Sequence, residues 1–316
     1  MASKTSTHFY FAPAEHSAYR RWRDFKLSIY PINKEDTFID IVDLSRPTDQ
    51  ERTKALSIVQ RTNFFLYRTP APGLPGREAT RALARAFGFH RLDANPMADE
   101  DGLTQVTVRD EGPKTRYIPY TDRPIRWHTD GYYNTPDRRI RGFILHCERS
   151  AAEGGENLLM DPEIAYILLR DRETALAEAL FHPEAMTVPA NQGDGGELRA
   201  AQAGPVFSVD PESGALHMRY TARTRSIIWR DDAQVRAAAE ALTRILDDPD
   251  SPYVVRHRLE PGEGVVCNNV LHGRTAFRDA PVGAHDPTRA GIRPRAPARG
   301  RRLVWRARSY DRIASV

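Results

Sequence analysis

The segment Ile125-Arg126-Trp127-His128-Thr129-Asp130-Gly131 constrains the fold of this chain more than any other stretch. In an extended backbone side chains alternate faces, so His128 and Asp130 point one way and Thr129 the other. An imidazole and a carboxylate side by side at a strand end supply two corners of a metal polyhedron. The third ligand has to arrive from a distant segment. His272, in Asn268-Asn269-Val270-Leu271-His272-Gly273-Arg274, is the best candidate. Two histidines and one carboxylate, with positions left open, suit non-heme ferrous iron in oxygenases. A His-x-Asp pair is by itself most often structural, and the chain has 10 histidines to choose from. The pair therefore gains meaning only from the rest of the sequence.

The surrounding pattern is one of short strands interrupted by helices. Strands are expected over residues 38–42, 63–67, 102–109, 142–147, 215–220, 254–259, 265–268 and 303–307, from alternation or apolar runs between turn signals. Helices are expected over Asp49–Thr62, with Ser45 or Thr48 as cap, and over Glu78–Phe87, Asp161–Phe181 and Asp231–Leu246. Asp161-Pro162 is a cap followed by proline at the first helical position. Residues 1–36 read as an irregular extension packed on the core, and 37–316 as one domain. Asn191–Gly196 reads as a glycine-rich loop with no Lys-Ser/Thr after it, hence not a phosphate cradle. There is no strand–helix alternation for a doubly wound sheet and no internal repeat. The fold class is mainly β with inserted helices (α+β), a sandwich or jelly roll. Residues 278–300, rich in Pro, Gly, Ala and Arg, read as a mobile insertion.

Composition narrows the setting. Cys147 and Cys267 are the only cysteines, and both have apolar neighbours, which fits buried thiols in a reducing cytoplasm rather than a disulfide framework. Residues 1–20 carry no apolar run of the secretory kind, and no window has the length of a membrane span. The formal net charge is +4, with an arginine excess between Arg289 and Arg312. That balance is too small to imply nucleic acid. A small-molecule substrate is the expected partner, and a homo-oligomer is compatible with the sequence.

Further features follow the opening pair. Glu153-Gly154-Gly155-Glu156-Asn157 lies between two apolar runs. Pro261-Gly262-Glu263-Gly264-Val265-Val266-Cys267 leads to His272, followed by Gly273-Arg274-Thr275-Ala276-Phe277. Arg302-Leu303-Val304-Trp305-Arg306 offers two guanidiniums that share one face of a strand. Together these motifs resemble the taurine dioxygenase (TauD/TfdA) family of iron- and 2-oxoglutarate-dependent oxygenases. The likeness extends to Ile41-Val42-Asp43-Leu44-Ser45-Arg46-Pro47 and Ala82-Leu83-Ala84-Arg85-Ala86-Phe87-Gly88, and covers roughly residues 37–310.

The resemblance implies a double-stranded β-helix, cupin-like, with Fe(II) held by His128, Asp130 and His272. It implies 2-oxoglutarate as cosubstrate and O2 as oxidant, with hydroxylation of an unactivated C–H bond as the default outcome. Arg302 would clamp the distal carboxylate of 2-oxoglutarate through paired charge-assisted hydrogen bonds. Asn157 stands where the family usually has threonine, and its amide could donate a similar bond. The separation of His272 from Arg302 is longer than usual for the family, which keeps Arg299, Arg301 and Arg306 as rivals. Arg306 matches a position that meets cosubstrate or an anionic substrate. Tyr132, Arg219 and Arg223 are further substrate candidates, whose ordinary readings are half-buried packing and a solvated basic face. Trp127 and His146 read as core residues. Because Asp130 is present, halogenation is not expected. Two other classes remain open at this stage, a cupin-type metal hydrolase or isomerase and a nucleic-acid-binding module using the arginine-rich tail.

Overall fold

A seven-residue strand near the C-terminus, buried along almost its whole length, organises the structure, a computed structural model that describes residues 11, 16–31, 33–70, 75–94, 99, 101–193, 196–211, 213–280 and 300–313. The strand Leu303–Ser309 runs antiparallel between Gly142–Arg149 and Leu103–Val106. It belongs to a six-stranded sheet in the order Phe38–Asp40, Phe64–Arg68, Glu263–Cys267, Gly142–Arg149, Leu303–Ser309, Leu103–Val106. A second, four-stranded sheet has the order Val255–His257, Asn157–Met160, Leu271–Arg274, Ile125–His128. Neighbouring strands in both sheets come from distant parts of the chain, as a jelly roll requires.

Strand alternation sorts the hydrophobic residues into separate cores. Phe64, Leu66, Phe143, Cys147, Val265, Cys267 and Val304 meet Leu159 and Val255 of the small sheet to fill the space between the sheets. The intervening residues of the large sheet, among them Phe65, Tyr67, Ile144, Val266 and Ala307, pack under two helices, Asp49–Thr62 and Gly76–Ala86. The outer face of the small sheet, including Trp127, Met160 and Leu271, lies under Pro162–Arg172, Thr174–Ala179 and Ala233–Leu246. This is the expected double-stranded β-helix with inserted helices. Both cysteines are buried free thiols, and among the described residues no helix is long and apolar enough to cross a membrane.

Local chemistry explains the helix ends. Thr48, not Ser45, caps the first of the outer helices in a capping box with Glu51, and Asn63 ends it at φ 61°. Asp161 caps the next helix with Pro162 behind it, as expected. That helix is not continuous to Phe181, however. Glu173 is extended (φ −164°, ψ 125°) and splits it into Pro162–Arg172 and Thr174–Ala179. The apolar periodicity continues across the break because both pieces face the same core, so a pattern count alone runs through it. The glycine-rich stretch at 191–196 contributes to a short hairpin of Asn191–Gly193 and Gly196–Arg199. Of the expected mobile insertion, residues 281–299 lie outside the described residues.

The N-terminal segment also departs from expectation: His16–Ile29 is helical. Its buried face carries a lysine, which hides the amphipathic stripe from sequence inspection. Lys26, 3% exposed, reaches Asp161 at 2.7 Å and Glu163 at 2.6 Å. Asp161 also accepts from Asn63 Nδ2 at 3.0 Å, so one carboxylate joins three segments. Removing one partner of a buried pair costs about 3–5 kcal/mol because it strands the other charge. Lys26→Ala should lower unfolding stability by that order in urea melts, while Lys26→Met combined with Asp161→Asn should recover much of it.

His146 sits in the large sheet with its Nδ1 2.7 Å from the Tyr67 hydroxyl, and burial pushes its pKa down to about 4. It is the core histidine expected. The unfolded chain therefore takes up a proton near pH 6.5 that the native state resists. Its stability contribution is complete above that pH and is lost at about 1.4 kcal/mol per unit as pH falls from 6.5 toward 4. His146→Phe should flatten this part of the stability–pH curve measured by denaturant titration.

Candidate metal centre

Register brings the two histidines together. Leu271–Arg274 pairs antiparallel with Ile125–His128 so that His272 lies opposite His128. Residues paired across a ladder point to the same face, and the two imidazole centroids are 4.1 Å apart. Asp130 follows at the strand end, with its Oδ1 3.8 Å from His128 Nε2. One ligand atom from each of His128, Asp130 and His272 lies within 4.8 Å of the other two. Thr129 faces away as expected, and its hydroxyl accepts from Tyr220 N. Gly131 turns the chain at φ +67°, where a Cβ would meet Ile140 Cγ1 at 2.4 Å.

The donors are oriented before any ion binds. Nδ1 of His128 lies 3.0 Å from Arg126 O, and Nδ1 of His272 3.0 Å from Val270 O. Each ring thus donates through Nδ1 and presents Nε2, the arrangement typical of metal-bound histidine. Burial lowers the pKa of His128, and burial with the neighbouring His128 pushes His272 down to about 3, so both stay neutral. Burial works to raise Asp130, but Arg306 and then Arg308 outweigh it and hold the carboxyl well below its ordinary value. Arg306 approaches Asp130 Oδ1 at 3.7 Å. Asp130 Oδ2 is buried with no hydrogen-bond partner among the described residues. Two neutral imidazoles and an ionised carboxylate with free lone pairs are a donor set that fits Fe(II).

Asn269 fixes the carboxylate's backbone. Its Oδ1 accepts from Asp130 N at 2.8 Å, and its Nδ2 donates to Asp130 O at 3.0 Å and Ile140 O at 2.8 Å. This residue takes φ 51°, which asparagine tolerates better than most. Sequence reading missed its role, although an Asn-Asn turn three residues before a candidate ligand was a usable signal.

The C-terminal strand directs a column of arginines inward. Trp305 points outward, donating to Glu148 Oε2 at 2.7 Å beneath Arg77. Arg306 and Arg308 are on the other face. Arg308 donates to Tyr133 Oη at 2.8 Å and to the buried Asp93. Its part was also missed, though it continues the two-residue spacing of Arg302, Val304 and Arg306. Arg302 is 5% exposed and lies farther along the interior, near Gly155 and over the Phe277 ring at 5.3 Å. Among the described residues its guanidinium has no hydrogen-bond or ion-pair partner. The rival Arg301 instead pairs with Asp110 and with Val108 O, and Arg299 lies outside the described residues. Asn157 is buried on the same inner face, where Nδ2 donates to His257 O at 3.3 Å.

Residues 27–289 match the model of the "Taurine catabolism dioxygenase TauD, TfdA family". The chain belongs to the TauD/TfdA family. It is 34% identical over 174 residues to a uridine-5'-phosphate dioxygenase from Amycolatopsis sp; the match takes in 52% of this chain and 59% of that relative, so the chain spans little more than half of it. Three solved structures share the fold. PvcB from Pseudomonas aeruginosa superposes with TM-score 0.55 at 15% identity, over 87% of this chain and 85% of that one. An asparagine oxygenase bound to Fe(II), 2S,3S-3-hydroxyasparagine and succinate gives 0.54 at 17%, over 83% and 79%. A putative taurine dioxygenase from Burkholderia xenovorans gives 0.54 at 14%, over 86% and 85%.

In this TauD/TfdA-family chain two of the remaining candidates, Tyr132 and Arg219, line a cleft of about 490 Å³, counted with its open mouth, together with Asp130 and Arg139. Tyr132 is half-buried, edge-on to Tyr133 at 5.2 Å. Arg219 commits its guanidinium to the carbonyls of Tyr132, Met186, Gly204 and Gln202. It ties the inserted hairpins to the metal loop and presents its stem to the cleft. Arg223 is exposed. Of the other histidines considered, His257 pairs with Glu263 at 2.7 Å, and Trp127 is a core aromatic. Partners that hold metal ligands in place typically contribute about 10–100-fold to metal affinity. Asn269→Ala should weaken Mn(II) binding by that factor in an EPR titration, with a smaller proportional loss for Asn268→Ala.

Proposed function

We propose that this protein is an Fe(II)- and 2-oxoglutarate-dependent dioxygenase that hydroxylates an unactivated C–H bond of a small anionic molecule. The observation that carries this reading is the convergence of one ligand atom each from His128, Asp130 and His272 within 4.8 Å, with Asp130 Oδ2 unpartnered among the described residues and buried Arg302 beyond them. When bound, iron(II) would supply the redox centre that couples reduction of O2 to oxidative decarboxylation of the keto acid. The balance is substrate, O2 and 2-oxoglutarate going to hydroxylated substrate, succinate and CO2. His128, Asp130 and His272 would hold the ion, a donor set that suits a site with open positions. Arg302 engages the distal carboxylate through its planar fork, with Asn157 beside it. The apolar interior around Phe143, Leu159 and Val304 keeps water from the reaction.

Three features support an anionic substrate. Among the described residues Arg306 Nε is buried without a hydrogen-bond partner, and the Tyr120 hydroxyl is likewise buried and unpartnered. Arg306 and Arg308 both act on that hydroxyl. At the cleft, the Arg139 guanidinium has no hydrogen-bond partner among the described residues. A nucleoside monophosphate, as in the name of the Amycolatopsis relative, is a suitable first test compound. Free buried cysteines accord with a cytoplasmic setting.

A succinate-release screen under air, with iron and 2-oxoglutarate, tests the reading. Release should rise with uridine-5'-phosphate or with another small carboxylate, sulfonate or phosphate. Preference for a neutral compound would refute the anionic assignment. Asp130→Ala should abolish coupled turnover. Arg306→Gln should raise KM for the anionic substrate about 10–100-fold while retaining cosubstrate binding.

A further inference from the structure

Two arginines, rather than Arg302 alone, occupy the inner end of the barrel. Arg274 lies two residues beyond His272 on the same strand, opposite Asn157. It is also 5% exposed. Its guanidinium stands over Phe277 at 4.6 Å, the ring that Arg302 approaches at 5.3 Å. One Arg274 nitrogen donates to Thr121 O at 2.7 Å and Arg123 O at 2.6 Å, while Nε is buried and unpartnered. Carbonyls satisfy hydrogens but neutralise no charge. Among the described residues neither guanidinium has a carboxylate within ion-pair distance; Asp122 and Asp279 act on Arg274 only from farther away. Two buried cations facing one ring are costly unless an anion completes the group.

We infer that Arg274 is a second binding residue for the distal carboxylate of 2-oxoglutarate, so that the anion sits between two guanidiniums with Asn157 at its side. This rests on the oxygenase reading above. Arg302 brings a guanidinium with no hydrogen-bond or ion-pair partner among the described residues. Arg274 brings one already held in place by two carbonyls, so little side-chain freedom is lost when the anion arrives. Its position two residues after the metal ligand His272 also couples the spacing between carboxylate seat and metal to a single strand. The pair should therefore discriminate strongly for a keto acid with a second carboxylate at the right reach.

The test is calorimetric titration of the full-length, Mn(II)-loaded protein, without oxygen, with 2-oxoglutarate and with 2-oxopentanoate. The second compound keeps the keto-acid end and replaces the distal carboxylate with a methyl group. Wild type should strongly prefer 2-oxoglutarate. Arg274→Gln and Arg302→Gln should each weaken 2-oxoglutarate about 10- to 100-fold and leave 2-oxopentanoate essentially unchanged. The double variant should lose less than the two single effects combined. Arg274→Lys, which keeps the charge but not the fork, should fall between wild type and Arg274→Gln, and it carries the test if the Gln variant does not fold. An Arg274→Gln protein that binds 2-oxoglutarate as wild type does, or that loses both keto acids in equal proportion, overturns the inference, as does unchanged discrimination in Arg274→Lys. Wild-type protein that takes up Mn(II) but neither keto acid overturns the oxygenase reading itself.

Discussion

The pairing of Leu271–Arg274 with Ile125–His128 is the contact on which the site depends. It places His272 opposite His128, and side-chain direction in a strand has period two. A slip of one residue would turn both Leu271 and Gly273 inward and send His272 to the outer face under the helices. The register is held from both sides. Leu271 and Trp127 are buried in the helical core on the outer face, and Leu159 fills the interior beside His272. Asn269 then locks the loop that carries Asp130 against the turn that precedes His272. Three ligands from two segments thereby become one rigid group.

Charge inside the barrel is graded along the C-terminal strand. At one level Arg308 is neutralised by Asp93 and anchored to Tyr133. At the next Arg306 faces Asp130 and keeps it ionised. Farther in, Arg302 and Arg274 share an aromatic ring, and among the described residues neither has a carboxylate partner. A buried cation beside a carboxylate needs no further anion, whereas a buried cation without one is costly until an anion joins it. The gradient runs from the metal toward the seat proposed for the cosubstrate, and the apolar residues between the sheets strengthen every interaction along it.

Much of this was readable in the chain before its fold was known. His-Thr-Asp in an extended segment already set two ligands on one face, and the spacing of Arg302, Val304, Trp305 and Arg306 already separated inward from outward residues. Helix caps at Thr48 and Asp161 followed from local hydrogen-bonding chemistry. Elsewhere local pattern misled. The N-terminal helix was hidden because its buried face includes Lys26, whose partners Asp161 and Glu163 come from another part of the chain. The helix break at Glu173 left no mark in hydrophobic period. Arg219 offered the residue type of a substrate contact, yet its guanidinium is used up by four carbonyls that only the folded hairpins assemble.

The division has a physical basis. Backbone period and side-chain chemistry are properties of a few consecutive residues, so the sequence by itself determined the candidate ligand types, the family, the strand faces and the β-rich class. Whether a polar atom finds a partner depends on segments far away in the chain. Only the tertiary structure decided that Asp130 Oδ2 lacks a hydrogen-bond partner, and the Arg274 and Arg302 guanidiniums a carboxylate partner, among the described residues, while Lys26 has two carboxylates beside it. A charge becomes a binding site or a staple according to what the fold lays beside it.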